Sequence, residues 1–67
     1  MPSAYDYQVS QQLAVHDYPF YALLFALFRK ADTYNMALLK KAFPEAYDEF
    51  WIRYNSPGGL LPDERVD

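Results

Sequence analysis

Pro19-Phe20-Tyr21-Ala22-Leu23-Leu24-Phe25-Ala26-Leu27-Phe28 runs for ten residues without a charge or a strongly polar side chain. At 100° per residue, Phe20, Leu23, Leu24, Leu27 and Phe28 fall on one helical stripe. Tyr21 and Phe25 widen it to roughly 200°, and only Ala22 and Ala26 remain on the other side. A helix this apolar is either wrapped by its neighbours or docked on a partner. The run has about half of the roughly 20 residues that a membrane span needs, so it predicts a packed helix and no transmembrane segment.

Working outward, Asp17 is the expected cap of this helix, with Pro19 in a first turn that tolerates its missing N–H. Arg29 and Lys30 suit the negative helix end, which places the helix over about 19–31. Upstream, Ser3 and Asp6 have capping-box spacing, and Tyr5, Val9 and Leu13 share one face of a weakly amphipathic helix over 4–15. Downstream, Asp32-Thr33 caps a helix over 33–43, with Met36, Leu39, Ala42 and Phe43 facing inward. Pro44 opens a fourth helix over 44–54, whose Glu45, Asp48 and Glu49 favour the positive end. Tyr47, Phe50, Trp51 and Tyr54 form its apolar stripe, and a fully buried Trp51 would make Trp51→Ala cost about 3–5 kcal/mol. Asn55-Ser56-Pro57-Gly58-Gly59 then stops the helix, and Leu60-Leu61 predicts a tail, 55–67, folded back over an apolar groove.

No β-type alternation or internal repeat interrupts this pattern. The expectation is one small helical domain over residues 1–67. It is all-α, a compact bundle of four short helices with an extended C-terminal tail, and its second helix lies at the centre.

Sixty-seven residues sit near the lower limit for an unaided apolar core, and cysteine is absent. Disulfides, thiolate nucleophiles and Cys-based zinc sites are therefore excluded, and the aromatic share of 19% must supply stability in their place. Self-association into a symmetric dimer is expected to cover apolar surface that three short neighbours leave open. The net charge of −3 argues against nucleic acid as a partner. Charge is also sorted: Arg29, Lys30, Lys40 and Lys41 make a basic middle between acidic ends. The first residues carry no basic leader before an apolar region, so no secretion and no membrane partner is expected, and the setting reads as cytoplasmic.

Candidate chemistry is sparse. His16 beside Asp17 is the one pair that suggests a general base, but no nucleophile stands at a suitable spacing, and a helix-terminal role is the expected one. Glu45, Asp48 and Glu49 lack the glycine or histidine that a cation loop would add, and Gly58-Gly59 lacks a phosphate-loop context. No catalytic residue, metal site or cofactor is expected, and the chain is read as no enzyme. Helices 19–31 and 33–43 have the outline of a helix-turn-helix, with Thr33, Asn35, Lys40 and Lys41 as its DNA-contact candidates. Against it, Lys40 and Lys41 lie late in their helix, where they also serve the dipole. Seven tyrosines exceed what this core can hide. Tyr21 and Tyr34, with Arg29, are the expected anchors of a protein interface.

Four segments carry a resemblance: Asp17-Tyr18-Pro19-Phe20-Tyr21-Ala22-Leu23, Arg29-Lys30-Ala31-Asp32, Ala42-Phe43-Pro44-Glu45, and Arg53-Tyr54-Asn55-Ser56-Pro57-Gly58-Gly59-Leu60-Leu61-Pro62. Over about residues 17–63 the chain resembles a group of short uncharacterised proteins of bacteriophages and integrated mobile elements. The resemblance implies a bacterial cytoplasm and an accessory role against host machinery, including defence proteins. It transfers no site residue. The functional expectation is a small adaptor or inhibitor that binds a larger protein, with the DNA-binding regulator as the alternative.

Overall fold

The computed structural model describes residues 2–64, so residues 65–67 of the expected tail lie outside the described residues. Four helices follow one another: α1 (Ala4–Val15), α2 (Phe20–Lys30), α3 (Thr33–Ala42) and α4 (Pro44–Tyr54). Two short 3-10 turns, Pro57–Gly59 and Pro62–Glu64, complete the tail. No strand occurs among the described residues, and the protein is the all-α bundle that its periodicity predicts.

The helix starts show how local chemistry sets these boundaries. Ser3 Oγ accepts from Asp6 N–H at 3.2 Å, while Asp6 accepts from Ser3 N–H at 2.8 Å, a full capping box. Asp32 accepts from Asn35 N–H at 2.8 Å and caps α3. Pro44 forces Phe43 out of the helical region (φ −132°, ψ 64°), which ends α3 and starts α4 within one residue. The cap expected at Asp17 is not formed. Pro19 occupies the N-cap of α2, and Asp17 instead adopts φ 50° and ends α1 in a turn, its N–H donating to Ala14 O at 3.2 Å.

The core lies where α2, α3 and α4 meet. Leu24, Phe28 and Phe50 are its buried members, and Phe25, Met36, Leu39, Ala46, Tyr47 and Trp51 pack around them half-buried. Ring centroids of Phe28 and Phe50 lie 5.2 Å apart, Phe25 and Phe50 5.6 Å, and Phe28 and Tyr47 6.0 Å, the tilted and edge-on arrangements that rings prefer. Two expectations are corrected here. The central element is α4, on which α2, α3 and the first 3-10 turn all pack, because its stripe is the one that faces both neighbours. Trp51 is half-buried, so its truncation costs less than a fully buried ring would. On α3, Met36 and Leu39 face inward as expected, whereas Ala42 is exposed and Phe43 is 37% exposed, its ring turned toward Phe20 at 6.3 Å.

The tail turns back through a polar clamp. Arg53 donates to Glu49 (3.2 Å), to Gly59 O (2.9 Å) and in a two-pronged pair to Glu64 (2.6 and 2.8 Å). Leu60, expected to fill an apolar groove, is 40% exposed, and Leu61 is half-buried. Gly58 and Gly59 have φ of 64° and 70°, the left-handed backbone that lets the chain reverse within reach of Arg53.

Glu64 is consequently held below the carboxylate range, at about 2, by Arg53 first and by the Leu61 N–H second. The Arg53 guanidinium is raised in return by Glu64 and Glu49. Because the folded value lies below the ordinary 4.5, the clamp's contribution is complete above that pH and fades as pH falls toward 2. NMR resonances of the Arg53 Nη–H groups and Leu61 N–H should shift together across this window, and Glu64→Gln should abolish the shift. A common midpoint at 4.5 would mean that the clamp does not form.

Candidate protein-binding surface

Buried Leu24 and Phe28 define the core-facing side of α2. The rest of the helix surface, from Leu27 about 80° around at 100° per residue, through Leu23, Lys30 and Ala22, to Ala26 at about 180°, is exposed. These side chains, with Leu13 and Tyr18 from the end of α1 and the turn after it, line a groove of about 480 Å³. Leu23 and Leu27 are 44% and 48% exposed, and Phe20 beside them 62%. The small Ala22 and Ala26 form the floor, and Lys30 supplies a charge at one end. The sequence stripe that joined Leu23 and Leu27 to Leu24 and Phe28 thus splits into an inner and an outer face. Ala22 and Ala26, left over in that reading, belong to the outer one.

The expected interface residues are all exposed and are not gathered into one site. Tyr21, 61% exposed, lines a cleft with Glu45, Ala46 and Glu49 at the start of α4. Arg29, two turns further along α2, lies 5.5 Å above the rings of Phe50 and Tyr54, covering the other end of the core. Tyr34 projects from the first turn of α3 at 73% exposure and lines neither that cleft nor the groove on α2.

The helix-turn-helix candidates divide in the same way. Thr33 and Asn35 stand in the first turn of α3, and Lys40 and Lys41 in its last, about 10 Å further along at 1.5 Å per residue. Lys40 Nζ sits 5.2 Å from the ring of Tyr47, and α3 packs mainly on α4.

His16 is exposed at the C-cap of α1, its ring 5.5 Å from that of Tyr18. Glu49 is engaged by Arg53. Among the described residues, no three His, Asp or Glu side chains are close enough together to hold a metal ion, and no helix is long and apolar enough to cross a membrane. The sequence reading missed the groove, although the i, i+4 pairs Ala22/Ala26 and Leu23/Leu27 were its visible signal.

No protein-family model matches the chain, and neither a curated protein nor a solved structure matches it.

Proposed function

We propose that this chain is a small protein-binding module without catalytic chemistry of its own, acting as an adaptor or inhibitor of a larger protein. The observation that carries this reading is the outer face of α2. A single helix holds the core on one side and offers an equally apolar, exposed face on the other, where a helix of a self-sufficient domain carries polar residues. The resemblance to phage and mobile-element proteins would make the larger protein a host factor, met in the bacterial cytoplasm. The basic middle and acidic ends of the chain would then steer their encounter.

Tyr21, Arg29 and Tyr34 are the anchors to test, since binding energy concentrates in a few aromatic and arginine side chains. Tagged protein captures the partner from host extract, and the purified pair is then titrated. Alanine at two of the three positions should each weaken binding at least about tenfold, roughly 1.4 kcal/mol, with the helical signal unchanged. Arg29→Ala also removes the cation held over Phe50 and Tyr54, so its melting curve must be read beside its affinity. Intact affinity in all three folded variants would remove these residues from the interface.

A further inference from the structure

We infer that the outer groove of α2 is occupied by the same groove of a second copy of this chain, in an antiparallel, two-fold α2–α2 contact. The inference rests on the reading of that face as a binding surface: a second copy covers it, and the larger protein is left to the anchors outside the groove, Tyr21, Arg29 and Tyr34.

A folded monomer of 7.9 kDa exposes about 4,400 Å² by the scaling of surface with mass, whereas this chain exposes 5899 Å². The excess, about 1,500 Å² over the whole chain, is an upper bound on what a second copy can bury and exceeds the roughly 1,000 Å² per subunit at the lower end of large homodimer interfaces. The radius of gyration agrees: 14.3 Å, against about 11 Å for a single-core domain of 67 residues.

Much of the uncovered surface lies on α1 and beside it on α2. α1 has no buried residue, and a twelve-residue helix is marginal in water on its own. Its Leu13 and the following Tyr18 form one wall of the groove, so an occupant of the groove packs on α1 as well as on α2. The chain has no cysteine for a disulfide and no metal cluster among its described residues, and a second copy seated in the groove would bury both helices.

Side-chain size and charge select the orientation. An antiparallel pair can place Leu23 and Leu27 of each copy over the Ala26 and Ala22 of the other, large side chains over small ones. That register brings Lys30 beside the partner copy's turn at Asp17, opposite in charge. It also sets the two helix dipoles head to tail. A parallel pair would set the two Lys30 side by side.

Light scattering over a dilution series tests the inference, read up to about 100 µM to include micromolar dimers. The wild-type protein should show twice 7.9 kDa at the upper end and fall toward one chain on dilution. Ala26→Arg, on the groove floor, should give a single-chain mass throughout, with its helical signal falling by no more than the twelve residues of α1. Because the chain has no cysteine, Ala26→Cys is a unique probe and should couple efficiently through a short bis-maleimide. Lys30→Cys, about 16 Å from its twin along the axis at 1.5 Å per residue, should not. If Ala26→Arg fails to fold, the two cysteine variants decide.

A one-chain mass for wild type at all concentrations overturns the dimer. So does efficient coupling of Lys30→Cys in preference to Ala26→Cys, or a dimer that Ala26→Arg leaves intact. The binding-surface reading fails separately, if polar substitution on the outer face unfolds the single chain, at dilutions where the wild type is folded and monomeric, as it does in the core.

Discussion

Phe28→Ala is expected to leave no cooperative melting transition. Phe28 is 1% exposed and meets Phe25, Tyr47 and Phe50, so its ring joins α2 to α4 at the one place where three helices converge. Truncating a fully buried Phe costs about 3–5 kcal/mol. A folded chain of 67 residues has only about 3–10 kcal/mol in total at the usual 0.05–0.15 kcal/mol per residue. The substitution therefore removes most or all of the stability. Circular dichroism on heating reads it, and Phe28→Leu, which keeps most of the volume, should retain the transition. An unchanged melting curve for the alanine variant would mean that the core lies elsewhere.

Trp51 is expected to behave differently from Phe28 despite its greater size. It is half-buried, its ring edge-on to Tyr47, Phe50 and Tyr54, and its Nε1 is buried without a hydrogen-bond partner. Trp51→Ala loses those ring contacts but also removes the unpaired donor, so its cost should be about 2–3 kcal/mol, less than for a fully buried ring. Trp51→Phe keeps most of the contacts and loses the donor, and should cost at most about 1 kcal/mol. Equal losses for the two variants would show that the indole nitrogen has a partner in solution.

The helix boundaries were legible because they rest on local chemistry: Ser3 with Asp6, Asp32 before α3, and Pro44 between α3 and α4 each act within three residues along the chain. The Asp17 cap was misread for a related reason. Aspartate is favoured both as an N-cap and in the left-handed conformation after a helix, and only the geometry of the α1–α2 turn decides between them. Which side of α2 faces the core was not legible. Leu23, Leu24, Leu27 and Phe28 are equally apolar, and the choice of Leu24 and Phe28 follows from where α4 packs. The clamp from Arg53 was half visible, as the i, i+4 pair with Glu49. Glu64, eleven residues on, reaches it only after the glycine turn.

The two-faced nature of α2 is the point on which the binding role stands, and a matched pair of substitutions on adjacent turns measures it. Leu24→Gln and Leu27→Gln introduce the same polar group, one into the core at 5% exposure and the other onto the outer face at 48%. Circular dichroism, at dilutions where the wild type is a single chain, should show the melting transition retained in Leu27→Gln and lost in Leu24→Gln. Loss of fold in both would place the outer face in a core and contradict the account.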